Sequence, residues 1–174
     1  LGVMGFPMAG HLLAKGGHDV TAYNRSPQRA AEWLAKFPSG KTAATPAAAV
    51  TGAEFVFACV GNDNDVRSVV YGDDGALVGM RAGAVLVDHT TASAELAREL
   101  DAAAKAKGKG FIDAPVSGGQ AGAENGKLGI MCGGDLATFD RAKDVLNVYA
   151  KALVRIGDAG AGQLTKMVNQ ICIA

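Results

Sequence analysis

Three side chains near the carboxyl end of the chain have the types and spacing of an acid/base site. Lys166, Asn169 and Gln170 follow Gly160-Ala161-Gly162, in a segment that we predict to be helical over residues 162–174. Positions i, i+3 and i+4 share one face of a helix, so an ammonium group and two amides would point the same way. That face suits a carbonyl that is being reduced, because an ammonium group can donate a proton to its oxygen.

A glycine turn stands at the opposite end of the chain. Gly2-Val3-Met4-Gly5 matches the second half of a G-x-G-x-x-G pattern, whose first glycine would precede Leu1. Such glycines let the backbone approach a pyrophosphate, and the N-terminus of the following helix adds N–H groups and positive potential. An ordinary glycine loop before a helix is the alternative interpretation, and this motif alone does not decide between them.

The segment Asn24-Arg25-Ser26 lies about 20 residues after the glycine turn, where a Rossmann site places its ribose contact. An acidic residue there would bind a free 2′-hydroxyl, whereas Asn24 is uncharged and Arg25 offers a charged fork to a phosphate. We therefore expect NADP as the cofactor, with NAD as the second option. The alternative is that Arg25 is a solvated surface arginine.

Strand and helix signals alternate along nearly the whole chain. Apolar periodicity, capping residues and glycine or proline breaks predict helices over residues 5–15, 26–36, 93–107, 135–149 and 162–174. Short apolar runs predict strands over residues 19–24, 55–60, 85–87, 110–113, 128–132 and 153–156. The alternation predicts an α/β domain with a Rossmann-type, doubly wound, mostly parallel sheet and right-handed crossovers.

Composition narrows the class of protein. The 174 residues, 49% of them hydrophobic, suffice for one domain with a full core. Seventeen basic and seventeen acidic residues give zero net charge, so we expect no nucleic-acid partner. No apolar run approaches the roughly 18 residues of a membrane helix, and no signal segment is evident, so we expect a cytoplasmic protein without a membrane partner.

The cysteines do not form a recognisable framework. Cys59, Cys132 and Cys172 are odd in number, widely spaced and free of any C-x-x-C pair or histidine at ligand spacing. We expect buried thiols in a reducing compartment, and no metal site.

With these residues placed, the chain resembles the β-hydroxyacid dehydrogenase family, which includes 3-hydroxyisobutyrate dehydrogenase, tartronate semialdehyde reductase and, more distantly, 6-phosphogluconate dehydrogenase. The resemblance covers essentially the whole chain. Four segments carry it: residues 1–9, Asp88-His89-Thr90-Thr91, Asp113-Ala114-Pro115-Val116-Ser117-Gly118-Gly119, and residues 162–170.

The resemblance implies an oxidoreductase that transfers a hydride between NADP(H) and a small β-hydroxy acid or its semialdehyde. It implies that residues 1–158 form the NAD(P)-binding Rossmann domain without its first strand. Residues 159–174 would then begin the interdomain helix of an all-helical second domain. The whole protein would be a homo-oligomer, either a dimer or a tetramer.

Individual roles follow from the same resemblance. Lys166 matches the catalytic lysine, and burial near a cofactor would lower its pKa toward a dual acid/base role. Ser117, Gly118 and Gly119 match the residues that hold the substrate carboxylate. A serine followed by two glycines suits that role because it can aim successive N–H groups into one concavity, although a plain turn has the same composition.

The remaining matches concern the substrate oxygen and the nicotinamide side of the cofactor. Asn169 or Gln170 would hydrogen-bond the substrate oxygen, and both alternatives stay open. Val60, Gly61, Asp65 and Thr91 match positions on the cofactor side.

The chain departs from common family patterns at three places. Gln170 stands where asparagine is frequent, Val60-Gly61 stands where Leu-Pro is frequent, and His89 stands where the family holds a small hydroxyl residue. We interpret His89, like His11 and His18, as structural.

Two other functions are compatible with such a scaffold. Imine reductases share it but usually replace the lysine, so Lys166 argues against that activity. A nucleotide-binding module without catalysis is the alternative from a different class, and the retention of Ser117 and Lys166 argues against it.

Overall fold

The structure, a computed structural model, describes residues 1–173. The helices are α1 (Gly5–Ala14), α2 (Pro27–Lys36), α3 (Pro46–Ala49), α4 (Asp63–Val70), α5 (Ala76–Gly79), α6 (Ala94–Lys105), α7 (Gly119–Glu124), α8 (Leu136–Asn147) and α9 (Ala161–Ile173). The strands are β1 (Thr21–Ala22), β2 (Lys41–Thr42), β3 (Phe55–Ala58), β4 (Val85–Asp88), β5 (Gly110–Asp113), β6 (Val116–Ser117), β7 (Leu128–Gly134) and β8 (Ala150–Gly157).

Six strands form the main sheet. Its order is β3-β4-β5-β7-β6, and β8 pairs with β7. The pairs β3–β4, β4–β5 and β7–β8 are parallel, whereas β7 runs antiparallel to β5 and β6. The predicted mostly parallel α/β architecture is therefore confirmed.

The three central strands end at the same level. Ala58 pairs with Asp88, and Asp88 pairs with Asp113, so their carboxyl ends are in register. Ligands of open α/β sheets bind in the crevice beyond these ends. The segments that follow β3, β4 and β5 therefore meet at one edge of the sheet.

Helices cover both faces of this sheet. Side chains alternate along each strand, so Val85 and Val87 face one apolar cluster while Leu86 faces the other. The first cluster receives buried side chains from α1, α7 and α8, and the second from α4, α5 and α6. Each large apolar side chain that is fully buried contributes roughly 1.5 to 3 kcal/mol, so this three-layer packing fixes the strand ends firmly.

The strands β1 and β2 form a separate parallel pair, in which Thr21 faces Lys41. Only Thr21–Ala22 of the predicted strand over residues 19–24 is a strand. The turn that follows carries Asn24, Arg25 and Ser26.

Several helix boundaries agree with their sequence signals. The Ser93 Oγ accepts the Leu96 N–H at 3.0 Å at the start of α6, and the Asp135 carboxylate accepts the Thr138 N–H at 2.9 Å at the start of α8. Ser26 precedes α2 as predicted but makes no side-chain cap hydrogen bond. Helix α9 covers the predicted segment up to Ile173, and Ala174 lies outside the described residues.

Two expectations need correction. The polar run Asn62-Asp63-Asn64-Asp65 gave no helix signal, yet it starts α4, because the Asn62 Oδ1 accepts the Asn64 and Asp65 N–H groups at 2.9 and 3.1 Å. The cysteines are free, but they are not all buried. Cys132 is buried, Cys59 is half-buried, and Cys172 is exposed on α9.

Within residues 1–173, none of the helices combines the length and the apolar character needed to cross a membrane.

Candidate active site

A cleft of about 470 Å³ opens beyond the carboxyl ends of β3, β4 and β5. Nine residues singled out from the sequence line it: Met4, Val60, Gly61, Thr91, Ser117, Gly118, Gly119, Lys166 and Gln170. Four others complete the lining: Cys59, His89, Thr90 and Val116. The structure therefore brings the glycine turn, the serine-glycine segment and the lysine helix to one place.

Lys166 lies at the wall of this cleft with only 9% of its surface exposed. Its Nζ donates to Gln170 Oε1 at 2.8 Å, one helical turn further along α9. Burial lowers the pKa of the Lys166 ammonium below its ordinary value. Gln170 lines the cleft, whereas Asn169 is half-buried and lies outside the lining.

The start of α9 is held by Asp113, the last residue of β5. The Asp113 carboxylate is buried and accepts the Gly160 N–H at 2.8 Å and the Gln163 N–H at 2.9 Å. Burial raises the pKa of Asp113, while the hydrogen bonds from Gly160 and Gln163 oppose that rise. The strand that leads to Ser117 is thus bonded directly to the helix that carries Lys166.

Glycines let α9 pack directly on the sheet. Gly160 has a φ of +92°, which favours glycine. A Cβ at Gly162 would lie 2.4 Å from the Met131 carbonyl oxygen of β7, so no larger residue fits without a backbone shift.

Gln163 joins α9 to the segment that follows β4. This side chain is 1% exposed. Its Oε1 accepts the Ala92 N–H at 3.0 Å, and its Nε2 donates to the Thr90 carbonyl oxygen at 2.7 Å. The sequence did not mark Gln163 as a functional residue, although a glutamine in the first turn of the lysine helix was the available signal.

The segment after β5 places two glycines at the cleft. Ser117 pairs with Gly129 of β7, and Gly118 and Gly119 follow with φ values of +118° and +59°. A Cβ at Gly119 would meet no atom within 4 Å, so the backbone conformation, rather than crowding, favours glycine there.

The glycine turn leads into α1. Gly2 and Val3 are exposed, and the Gly2 carbonyl oxygen accepts the Phe6 N–H at 3.0 Å. Within the described residues, no side chain caps the N-terminus of α1 and its first turn holds no acidic residue. The uncapped N–H groups and their positive potential fit a pyrophosphate. Gly2, Val3 and Gly5 lie beside the cleft lining rather than in it.

The segment Asn24-Arg25-Ser26 lies outside the cleft lining but next to the glycine turn. The Asn24 Oδ1 accepts the backbone nitrogen of Leu1 at 2.8 Å, and its Nδ2 donates to the Ser26 carbonyl oxygen at 3.1 Å. The Arg25 side chain is 92% exposed, with Nη1 3.9 Å from Asp65 Oδ1. Such an exposed ion pair contributes at most about 1 kcal/mol, so it does little to hold Arg25 in place.

Buried polar groups brace the loop after β4. The Thr90 N–H donates to Asp88 Oδ1 at 2.9 Å, and the Thr90 Oγ1 accepts the Val60 N–H at 3.0 Å. Burial raises the pKa of Asp88 to about 6. These contacts join the ends of β3 and β4 next to Thr91.

His89 is fully bonded although it borders the cleft. Its Nδ1 lies 2.6 Å from the Ala114 carbonyl oxygen and its Nε2 lies 2.8 Å from the Tyr149 hydroxyl. Because a carbonyl oxygen only accepts, we assign the proton to Nδ1, and Tyr149 then donates to Nε2. Burial lowers the pKa of His89 to about 4, so the ring is neutral near pH 7.

No group of three or more His, Cys, Asp or Glu side chains within residues 1–173 is arranged to hold a metal ion.

Residues 1–157 match the family profile described as the NAD binding domain of 6-phosphogluconate dehydrogenase. The chain belongs to this family. The match makes residues 1–157 an NAD(P)-binding domain, and the resemblance to β-hydroxyacid dehydrogenases is confirmed.

Relatives in the 6-phosphogluconate dehydrogenase family are similar over the whole chain. An "Uncharacterized oxidoreductase" of Shewanella frigidimarina is 59% identical over 174 residues, covering 100% of the chain and 59% of the relative. A "Probable 3-hydroxyisobutyrate dehydrogenase-like 2, mitochondrial" of Arabidopsis thaliana is 42% identical, covering 99% and 56%.

A solved structure of Mycobacterium tuberculosis 3-hydroxyisobutyrate dehydrogenase with L-serine has a TM-score of 0.91 at 34% identity, covering 99% of the chain and 57% of that protein. The chain thus spans less than two thirds of each of these three proteins.

Proposed function

We propose that the full-length protein transfers a hydride between NADP(H) and a small β-hydroxy acid or its semialdehyde. One observation carries this proposal: the buried Lys166 and the Ser117-Gly118-Gly119 segment line the same cleft, beside the glycine turn. A proton donor, an anion-binding segment and a dinucleotide site are the parts that carbonyl reduction requires.

NADPH, when bound, would supply the hydride that carbonyl reduction needs. During reduction, the Lys166 ammonium donates a proton from Nζ to the carbonyl oxygen, which becomes the hydroxyl of the product. During oxidation, the neutral Lys166 amine accepts the hydroxyl proton. Burial lowers the pKa of Lys166, which makes the neutral amine easier to form than on an exposed lysine.

The substrate is held at both ends in this proposal. The Ser117 hydroxyl and the backbone at Gly118 and Gly119 bind the carboxylate. Gln170 is the better placed of the two amides, because it lines the cleft and accepts a hydrogen bond from Lys166 Nζ. It would orient the lysine and the substrate oxygen together.

We propose NADP as the preferred cofactor because Arg25 is exposed beside the glycine turn and because position 24 holds an uncharged asparagine instead of an acidic residue. The Asp65 carboxylate would compete weakly with a 2′-phosphate for Arg25 and would repel that phosphate. NAD therefore stays the second option as cofactor. Arg25→Ala should raise the KM for NADPH about tenfold and leave the KM for NADH within about twofold.

We further propose that residues 159–173 begin an interdomain helix. Four exposed apolar side chains, Leu164, Met167, Val168 and Ile171, form a stripe at i, i+3, i+4 and i+7 on α9. Such a stripe is typical of a helix that packs against another apolar surface. A helical second domain would cover this apolar stripe. That the full-length protein is a homo-oligomer is a separate prediction.

The deciding experiment measures NADPH and NADH oxidation by the full-length protein with a panel of small semialdehydes and a panel of cyclic imines. Lys166→Ala should lower kcat by about a hundredfold or more, since general acid catalysis contributes about 10² to 10⁴. The matched control is Lys107→Ala, an exposed lysine after α6.

Other results would point to the two alternative functions. Turnover of imines alone, or turnover that survives the loss of Lys166, would favour imine reduction. NADPH binding without turnover of either panel would favour a module without catalysis.

A further inference from the structure

Two contacts that do not involve the Gln163 side chain hold the first turn of α9 to the sheet. Asp113 caps its N-terminus at 2.8 and 2.9 Å, and Gly162 packs against the backbone of β7. The Gln163 side chain therefore is not needed as a cap. Its two hydrogen bonds go instead to Thr90 and Ala92, on either side of Thr91.

Glutamine is chemically matched to this position. One carbonyl oxygen and one N–H group of the loop must be satisfied together, and a neutral carboxamide supplies one donor and one acceptor. A buried apolar side chain of the same size would leave both backbone groups unpaired, and a carboxylate would face the Thr90 carbonyl oxygen without a donor.

The loop that Gln163 binds is also held by hydrogen bonds to the ends of β3 and β4. Asp88 accepts the Thr90 N–H at 2.9 Å and Val60 donates to the Thr90 Oγ1 at 3.0 Å. Thr91 itself lines the same cleft as Lys166. Lys166 follows Gln163 by three residues, about 4.5 Å along a rigid helix, so a shift at Gln163 moves the lysine.

We infer that Gln163 is a positioning residue, which sets the distance between the Lys166 amine and the cofactor-side loop at Thr91. The inference rests on the function proposed above. Gln163 touches no reacting atom, and it acts by holding the proton donor in register with the hydride donor. A misplacement of about 1 Å can lower a rate on the order of a hundredfold, so loss of this contact should affect chemistry more than binding.

The test compares three variants of the full-length protein. Gln163→Met removes both hydrogen bonds at similar length, and Gln163→Glu keeps only the acceptor for the Ala92 N–H. Leu77→Ala is the control, because Leu77 is buried on α5 and lies outside the cleft lining. The measurements are Tm, the Kd for NADPH, kcat, KM, and the kinetic isotope effect with NADPH deuterated at the transferred position.

We expect Gln163→Met to lower kcat about tenfold to a hundredfold, to raise the isotope effect on kcat, and to change the Kd for NADPH less than about threefold. Gln163→Glu should be no better than Gln163→Met near pH 7. Leu77→Ala should lower Tm and leave kcat within about twofold. The inference fails if Gln163→Met lowers Tm but leaves kcat within about twofold, as Leu77→Ala should, or if only KM changes.

A second measurement does not require turnover. The pH dependence of Lys166 modification by a small acylating reagent, followed by mass spectrometry, reports the pKa of the amine. In Gln163→Met the loop at Thr91 is no longer joined to α9, so the Lys166 amine should become more exposed and its pKa should rise toward the ordinary lysine value, with no such rise in Leu77→Ala. An unchanged pKa in Gln163→Met overturns the inference, whereas inactivity of the wild-type protein on every substrate overturns only the proposed function.

Discussion

At the scale of single residues, Lys166 shows how a fold can bury a side chain that is usually exposed. Its burial in the wall of the cleft disfavours the charged form and lowers the pKa of the amine. A lysine on an exposed helix face would keep its ordinary pKa and remain a permanent cation near pH 7.

This difference predicts the pH dependence of the oxidation reaction. Because oxidation needs the neutral amine, kcat should rise with pH and level off above the lowered pKa of Lys166. Lys166→Arg keeps the positive charge but cannot give up its proton, so oxidation should fall about a hundredfold or more and lose this pH dependence. Lys107→Arg is the control, and a pH profile of Lys166→Arg that matches the wild type would contradict the assignment.

Asp88 and His89 are adjacent buried groups whose effects on stability oppose each other. Burial raises the pKa of Asp88 to about 6, so its contribution to stability is present below its ordinary value of 3.8 and is lost as pH rises through 6. Burial lowers the pKa of His89 to about 4, so its contribution is present above 6.5 and is lost as pH falls through 4. Each effect is on the order of 3 kcal/mol, and they largely cancel between pH 4 and 6.

Replacing Asp88 should make the effect of His89 on the free energy of unfolding visible. Asp88→Asn retains an acceptor for the Thr90 N–H but removes the titration, so the free energy of unfolding should rise more steeply from pH 4 to pH 6 than in the wild type. Urea unfolding at several pH values measures this slope. Asp73→Asn, on an exposed turn, is the control, and equal slopes for Asp88→Asn and the wild type would refute the cancellation.

At the scale of secondary structure, the sheet and the lysine helix were predictable because their signals are local. Short apolar runs mark β3, β4 and β5, and the spacing of Lys166 and Gln170 already places both on one helical face. The position of Gln163 was not predictable, because its partners Thr90 and Ala92 lie more than 70 residues away in the sequence.

The same distinction explains the elements that the sequence did not reveal. Helix α4 starts in a run of four polar residues, and β6 is a strand only because Val116 and Ser117 pair with β7. Such pairing depends on tertiary contacts rather than on local preference. The resemblance to a family, rather than composition, identified Ser117 as a site residue.

The contact between α9 and β7 yields a prediction for this helix as a unit. Gly162→Ala places a Cβ 2.4 Å from the Met131 carbonyl oxygen, so α9 must move away from the sheet. Overpacking of this kind typically destabilises by about 1 to 3 kcal/mol, and kcat should fall with it because Lys166 moves.

The control is Gly122→Ala on α7, where the added Cβ would lie 3.2 Å from the Leu128 Cδ2, a flexible side chain that can yield, and in ordinary contact with the Lys127 carbonyl oxygen at 3.6 Å. This change should alter the free energy of unfolding by less than about 1 kcal/mol. If thermal unfolding shows the same loss for both variants, crowding at Gly162 is not the cause.

At the scale of the whole molecule, the cleft has walls from the sheet edge and from α9, and the apolar stripe of α9 faces outward. We predict that residues 1–174 alone bind NADPH, because Met4 of the glycine turn and the segments after β3 and β4 line the cleft. They should turn over substrate at least about a hundredfold more slowly than the full-length protein, since an open cleft admits water and leaves the substrate mobile.

Parallel measurements of NADPH Kd and kcat on the two proteins test this difference. Equal kcat values would show that the relatives' additional length contributes nothing to the reaction.

The close packing of Gly162 against β7 also limits how the protein can be redesigned. The first turn of α9 has no room for a larger residue at Gly162, so a redesign has to keep this glycine. Gln170 lines the same cleft one turn beyond Lys166 and differs from the common asparagine. A redesign of substrate choice at Gln170 should therefore also change the environment of the Lys166 amine, because Gln170 accepts its hydrogen bond.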